Sequence, residues 1–162
     1  MPKPASPIPP GFHAITPHLT VNGAAAYIDF LKRAFNAVEI ESERNAGPGG
    51  KLMHARVRIG DSMLIFNDDF GDEFGLPPIA KGRMPFLLNL YVQDADAVWK
   101  QAVAAGCQVE MPLADQFWGD RYGHLRDPFG FLWAIASHQE DLTPEELQER
   151  QAAMLRGAGD KR

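Results

Sequence analysis

Two stretches of this chain follow the same order of residue types, and this internal repeat constrains the fold more than any other feature. A shift of 71 residues places 21–24 on 92–95, and farther along a shift of 70 places His54 on His124. A repeated supersecondary unit cannot bury its own apolar face alone, so copies must pair within a chain or across a dimer. The repeat therefore predicts two similar units rather than one irregular domain.

The spacing of apolar residues predicts the same five elements in each unit, a strand, a helix and three further strands. In the first helix, residues from Ala24 to Phe35 recur at the 3.6-residue period, and Asn22 precedes them as the predicted N-cap. A capping box at Thr143–Glu146 predicts a C-terminal helix that ends near Arg156. The predicted elements are strand 14–21, helix 24–35, strand 38–40, strand 52–59 and strand 63–66, then strand 86–92, helix 95–105, strand 108–111, strand 122–126 and strand 131–137.

These elements predict an α+β fold of two tandem βαβββ modules that form curled mixed sheets, followed by a C-terminal helix. The predicted organisation is a Pro-rich arm at 1–11, a domain at 12–138, and a C-terminal helix and tail at 139–162. Within the domain, module one covers 12–69, a linker rich in Gly, Pro and Asp covers 70–85, and module two covers 86–138.

Charge and composition argue against several classes of partner. The net charge is −5, from 16 Lys and Arg against 21 Asp and Glu, whereas nucleic-acid binding needs a concentrated basic face. The chain has neither an apolar run of membrane-spanning length nor a signal-peptide pattern at its N-terminus. Cys107 is the single cysteine, which we interpret as a small core residue. We therefore expect a cytoplasmic protein that binds neither nucleic acid nor membrane.

Two regions, one in each module, carry a resemblance to a known family. The segment 19–35, LTVNGAAAYIDFLKRAF, resembles the opening strand and helix of the glyoxalase/bleomycin resistance protein/extradiol dioxygenase (vicinal oxygen chelate) superfamily. The segments 115–123, DQFWGDRYG, and 127–130, DPFG, resemble the end of its second module. Both are similar to the branch called 3-demethylubiquinone methyltransferase-like, and the resemblance covers about residues 12–138.

The resemblance implies that each sheet curls into a cup, with its helix outside and the ligand inside. Because strand side chains alternate, the sheet face away from the helix, here called the cup face, is predicted to carry both Leu64 and Phe66. Metal-dependent members place His or Glu at four cup positions, which the resemblance assigns to Thr16, Leu64, Leu87 and Ala134. None of these side chains is an imidazole or carboxylate, so no cofactor and no metal at the usual site are expected.

The candidate ligand-binding residues are polar or aromatic side chains on the predicted cup faces and in the segment 116–122. The candidates are His18, His54, Arg56, Asn89, Tyr91, Phe117, Trp118, Asp120, Arg121, Tyr122 and His124. The aromatic residues could stack on a flat ligand while Asp120 and Arg121 orient it, or they could simply pack. Arg56 and Arg126 could bind an anion, or could pair with Glu or Asp across strands.

Two classes of function remain open at this point. The first is a binding protein that encloses a small organic ligand in the cup of a homodimer, without the usual metal. The second is a metal-dependent lyase, isomerase or dioxygenase with a non-standard site, in which His18, His54 or His124 acts with Asp68 or Asp120. Methyl transfer is the least favoured, because the sequence has no Gly-rich strand–helix turn of the kind that nucleotide-like cofactors need.

Overall fold

The computed structural model describes residues 7–71 and 86–159, with side chains to 157. The chain divides into two compact units, Met1–Arg83 (unit 1) and Met84–Arg162 (unit 2). Unit 1 contains β1 (His18–Val21), α1 (Ala24–Phe35), β2 (Val38–Glu39), β3 (Asn45–Ala46), β4 (Leu52–Ile59) and β5 (Ser62–Asp68). Unit 2 contains β6 (Leu88–Tyr91), α2 (Ala95–Ala104), β7 (Gln108–Asp115), β8 (Asp120–Arg126), β9 (Leu132–His138) and α3 (Pro144–Gly159).

Both units have a mixed sheet with the same topology, which confirms the predicted α+β fold. The strand order is β1-β5-β4-β2 in unit 1, with β3 beside β4, and β6-β9-β8-β7 in unit 2. In each sheet the first strand runs parallel to the last one, and the other pairs are antiparallel. Parallel neighbours need a crossover connection, which α1 and α2 begin in their units.

The core of unit 1 lies between α1 and one face of its sheet. The apolar stripe of α1 includes Tyr27 and Phe30, both fully buried, and the Tyr27 ring meets the Phe66 ring edge to face with centroids 5.4 Å apart. Leu64 also lies on this helix face, because it pairs with buried Val57 across β4 and β5. The prediction that Leu64 and Phe66 face the cup is therefore wrong. β5 begins one residue earlier and ends two residues later than predicted. Its cup-face residues are those that alternate with Leu64 and Phe66.

A carboxylate from a distant strand replaces the predicted cap of α1. Gly23, not Asn22, is the N-cap, with φ 83° in the left-handed region that favours glycine. Asp68 Oδ1 accepts from the backbone N of Gly23 at 2.8 Å and of Ala24 at 2.9 Å, and its Oδ2 accepts from Leu52 N at 2.7 Å. Asp68, 5% exposed, thus fixes the helix N-terminus to β4 and β5. Since its oxygens point to the helix side, it is not a cup-face carboxylate.

Unit 2 covers one sheet face with α2 and fixes that helix in a similar way. Ser137 Oγ accepts from Ala95 N at 2.9 Å and donates to Val92 O at 2.7 Å. Asp94 adds a local N-cap by accepting from Ala97 N. The fully buried Leu125 and Ile135 lie on the helix side of this sheet. Cys107 is also buried, which confirms its interpretation as a core residue.

The strand registers correct the repeat alignment. His18, Ile65 and Arg56 lie side by side across β1, β5 and β4. Asn89, Ala134 and His124 form the corresponding row across β6, β9 and β8. Because α1 and α2 begin 71 residues apart, His18 corresponds to Asn89, and hence Arg56 corresponds to His124.

The predicted match of His54 to His124 is therefore wrong by two residues. The reason is turn length: two residues separate paired Ile59 and Ser62, whereas five separate paired Arg126 and Leu132. A sequence comparison that matches Gly60 to Gly130 conceals this difference. An alignment error of two residues keeps His54 and His124 on the cup faces, because side chains alternate along a strand. In β5 the alignment error is an odd number of residues, so the prediction assigned Leu64 and Phe66 to the wrong face.

The C-terminal helix has the predicted capping box. Thr143 N donates to Glu146 Oε2 at 2.9 Å, and Glu146 N donates to Thr143 Oγ1 at 3.2 Å. The helix continues to Gly159, beyond the predicted end near Arg156. Among the helices of the described residues, none has the length and apolar character of a membrane span. Most of the predicted arm (1–6) and of the predicted linker (72–85) lies outside the described residues.

Candidate functional site

A buried carboxylate organises the cup face of unit 2. Asp120, at the start of β8, is 4% exposed. Its Oδ2 accepts from Tyr91 Oη at 2.8 Å and from Trp118 Nε1 at 3.2 Å, and its Oδ1 lies 2.7 Å from His138 Nδ1. These donors come from β6, the turn before β8, and the end of β9. One carboxylate therefore positions three ring side chains.

A tight turn that requires glycine directs Trp118 toward this carboxylate. Gly119 has φ 94°, and a Cβ on it would lie 2.5 Å from the backbone oxygen of Glu140. The Gly119 oxygen in turn accepts from Gln139 N and Glu140 N, at 2.9 and 3.0 Å. The chain after β9 thus packs directly on the turn, which leaves no room for a side chain at position 119.

Beyond the carboxylate, the rings form a continuous edge-to-face series, here called the ring ladder. Phe117 meets Trp118 with centroids 5.1 Å apart, Trp118 meets Tyr122 at 5.3 Å, and Tyr122 meets His124 at 5.1 Å. The Tyr122 hydroxyl also lies 3.0 Å from His124 Nε2. All four side chains are partly exposed. Edge-to-face contacts hold each ring at a defined angle, so the ladder is an ordered aromatic surface.

The charge of Asp120 affects the neighbouring titratable groups. The hydrogen bond to Asp120 raises the pKa of the Tyr91 hydroxyl, and burial followed by the Asp120 charge raises the pKa of Tyr122. The pKa of His138 is raised by its hydrogen bonds, first to Asp141 and then to Asp120. Because both His138 nitrogens face carboxylate oxygens, this arrangement requires the doubly protonated imidazolium.

Arg121 does not join this cluster, although it is adjacent to Asp120 in the chain. Its guanidinium pairs with Asp96 of α2 at 2.6 and 2.7 Å and with Asp115 at 3.1 Å, which places it on the helix face. The proposed pair of Asp120 and Arg121 as ligand-orienting groups is therefore not brought together. Strand alternation separates neighbouring residues onto opposite faces.

In unit 1 the polar candidates share the cup face but are partly engaged by each other. Arg56 donates to Glu43 Oε2 at 2.6 Å and to His54 Nε2 at 3.2 Å, and its guanidinium lies 5.0 Å from the Phe12 ring centroid. Burial, then the charges of Arg56 and His18, lower the pKa of His54. Arg56 is thus ion-paired with Glu43, which lies in the 3-10 turn between β2 and β3 rather than on a strand. Cross-strand pairing describes Arg126, which donates to Glu110. His18 is exposed in the row beside Arg56.

Asn89 and Tyr91 lie on the cup face of β6, as predicted, and Tyr91 is 59% exposed. His138 is a member of the cluster that sequence reasoning missed. The signal was available, because His138 lies at an even spacing from Ala134 on the last strand and therefore shares its face.

The donor chemistry at the usual metal positions does not fit a divalent ion. Thr16 donates its hydroxyl to His13 O, and Leu87 and Ala134 have no donor atom. At the remaining position, the cup-face residue of β5 is Ile65 rather than Leu64, and Ile65 is also apolar. Within 7–71 and 86–159, no group of three or more His, Cys, Asp or Glu side chains could hold a metal ion. We therefore derive no chemistry through a metal.

Comparisons with known proteins agree with this fold. The chain is 41% identical over 138 residues to the uncharacterized protein Rv0887c of Mycobacterium tuberculosis strain H37Rv, covering 83% of this chain and 80% of that protein. TioX from Micromonospora sp. ML1 has a TM-score of 0.61 at 24% identity, covering 81% of this chain and all of that one. The PhnB protein of Bacillus cereus, of the 3-demethylubiquinone methyltransferase-like branch, has a TM-score of 0.60 at 19% identity, with 77% and 99% covered.

A family model matches residues 11–135, which include the sheet of unit 1 and all but the end of β9 in unit 2, and the fold has the strand order described above. The chain belongs to the Glyoxalase/Bleomycin resistance protein/Dioxygenase superfamily.

Proposed function

We propose that this protein binds a small, flat aromatic or amphipathic organic molecule on the cup face of unit 2, in a homodimer and without a metal at the usual positions. The observation that carries the proposal is the ring ladder next to a buried, three-fold hydrogen-bonded carboxylate. Partly exposed rings held at fixed angles offer apolar contact at a low entropic cost, because they are already ordered before the ligand arrives.

The ligand would stack on the ladder and place its polar end near the Tyr91 hydroxyl. Asp120 acts as a positioning residue in this proposal, since its oxygens already accept from three donors. Electron-rich ring faces, with the Asp120 carboxylate behind them, favour a ligand that is neutral or positively charged over an anion. The net charge of −5 acts in the same direction at long range.

Tryptophan fluorescence tests the proposal, with a panel of flat aromatic amines, flat neutral aromatics and aliphatic amines. We expect the flat compounds to quench the emission of Trp118 and the aliphatic amines to have little effect. A Trp118→Phe variant should lose the quenching, whereas Trp99→Phe, on the helix face, should retain it. If no flat compound binds, or if quenching survives Trp118→Phe, the proposed site is wrong.

Metal analysis separates this proposal from metal-dependent catalysis. Protein purified without a histidine tag is expected to contain less than stoichiometric Zn²⁺, Ni²⁺, Mn²⁺ or Fe²⁺. A stoichiometric ion that is lost in His54→Ala would instead support a lyase, isomerase or dioxygenase with a non-standard site.

A further inference from the structure

The cup face of unit 1 contains a buried acceptor that lacks a donor. Asn67 on β5 has 0% exposure, and its Oδ1 accepts no hydrogen bond. Its Nδ2 donates to Thr20 Oγ1 at 3.2 Å and to the backbone oxygen of Asp68 at 2.8 Å. If the nitrogen and oxygen of the Asn67 side-chain amide exchanged places, the amide oxygen would lie against the backbone oxygen of Asp68. These hydrogen bonds therefore fix the orientation of the amide. Asn67 Oδ1 is therefore the side-chain atom without a hydrogen-bond partner.

An unmet acceptor of this kind is destabilising, and native proteins keep few of them. The neighbouring side chains explain what could meet it. Asn67 pairs with Thr20 of β1, and the β4–β5 register that aligns Ala55 with Phe66 places His54 opposite Asn67. Thr20 and His54 are both partly exposed, so the row leads outward from the buried amide.

His54, opposite Asn67 in this register, carries a ring nitrogen that can donate. Its Nε2 accepts from Arg56 Nε, so the neutral ring carries its proton on Nδ1. Burial and the Arg56 charge lower the pKa of His54, which keeps the ring neutral at pH 7. Arg56 itself is paired with Glu43. The row therefore presents the His54 donor, the Thr20 hydroxyl and the Asn67 acceptor, with little net positive charge.

We propose that the row Thr20, Asn67 and His54 is a binding site for a neutral group that both donates and accepts hydrogen bonds, namely a hydroxyl or a primary carboxamide of a small organic molecule. The group donates to Asn67 Oδ1 and accepts from His54 Nδ1. A carboxylate cannot donate, and it would meet the unpaired Asn67 oxygen. This inference goes beyond the proposed function, because the site lies on unit 1 and does not require the ring ladder of unit 2.

The test compares benzamide with benzoate, which have the same ring and differ in the polar group. In ¹H–¹⁵N spectra of the full chain, we expect benzamide to shift the amides of Thr20, His54 and Asn67. Its affinity should exceed that of benzoate by about tenfold, which corresponds to one net hydrogen bond. Asn67→Leu should reduce the ratio to about threefold or less, and so should His54→Phe, which removes the donor and does not touch the buried amide. Asn22→Leu, the same change at an exposed residue of unit 1, should leave the ratio unchanged.

Several results would overturn the inference. These are benzoate binding as tightly as benzamide, an unchanged ratio in both variants, or a nuclear Overhauser contact from Asn67 to an internal water that persists at saturating benzamide. The Trp118 quenching experiment is independent of all three. Quenching with no benzamide preference would leave the proposed function and reject this binding site, and the reverse result would reject the ring-ladder site alone.

Discussion

At the scale of single residues, Asp120 and Asp68 have the same chemistry and opposite tasks. Both are buried and accept three hydrogen bonds. Asp120 binds side chains and so orders a surface, whereas Asp68 binds backbone N–H groups and so orders the fold. A buried carboxylate is tolerated only where donors replace water, and each site meets that condition with residues from separate elements.

Asp120→Ala should lower the free energy of unfolding by about 2 kcal/mol, because it removes one acceptor from three ring donors. Chemical denaturation measures this change. Asp115→Ala, an exposed carboxylate of β7, is the matched control and should change stability by about 0.5 kcal/mol or less. Equal effects of the two substitutions would contradict the role given to Asp120.

The pH dependence of stability should reveal His138. Its pKa is raised in the folded protein, by Asp141 and then Asp120, so its contribution is fully present below the unfolded pKa of 6.5 and is lost as pH rises through the folded value. His138→Gln should therefore destabilise the protein more at pH 6 than at pH 9. The lowered pKa of His54 acts with the opposite sign, since its contribution is lost as pH falls below 6.5. Comparison of the variant with the wild-type protein at each pH cancels the His54 effect.

At the scale of elements, glycine turns and strand registers decide which side chains meet. Gly119 and Gly130 have nearly the same φ, 94° and 95°, but differ in their surroundings. A Cβ at 119 would lie 2.5 Å from Glu140 O, whereas a Cβ at 130 would meet nothing within 4 Å. Substitutions at these two glycines therefore separate the cost of backbone strain from the cost of a steric clash.

Gly130→Ala should cost about 1–2 kcal/mol, from the left-handed backbone alone. Gly119→Ala should cost clearly more and should also weaken quenching of Trp118, because the turn must move to accommodate the methyl group. Urea denaturation and the fluorescence panel measure the two effects. The same stability loss in both variants would indicate that the chain after β9 moves readily to make room for the methyl group at position 119.

The cap of α1 makes a second prediction at this scale. Asp68→Ala leaves three backbone N–H groups without their acceptor, so we expect a loss of about 2–3 kcal/mol in unfolding free energy. Asp29→Ala, on the exposed side of α1, is the control and should be nearly neutral. A near-neutral Asp68→Ala would show that water replaces the carboxylate.

At the scale of the whole molecule, one topology is used for two chemically different surfaces. The cup face of unit 2 has the ring ladder, and that of unit 1 has the polar row that includes Asn67. The corresponding positions show the divergence: Arg56 in one unit matches His124 in the other, and His18 matches Asn89.

The proposed homodimer makes the prediction at this scale. Sedimentation equilibrium at micromolar concentration is expected to give twice the mass of one chain, since a ligand cup completed by a second copy favours closed two-fold assembly. A monomer at all concentrations that still binds flat aromatics would reject the dimer and retain the binding site.

The sequence by itself determined the βαβββ order of both units, except for the two-residue β3 of unit 1. It also determined the span of α1 and the capping box of α3, because hydrophobic period and capping chemistry are local. It also grouped Phe117, Trp118, Asp120 and Tyr122 as candidates in the segment 116–122, and it placed His124 on the cup face. Tertiary structure decided what depends on register and on distant donors. The strand registers shifted the repeat alignment, the pairing with Asp96 of α2 held Arg121 away from the cluster, and the long-range bonds of Asp68 and Asp120 gave each carboxylate its task. Those facts depend on residues far apart in the chain, so no local pattern contains them.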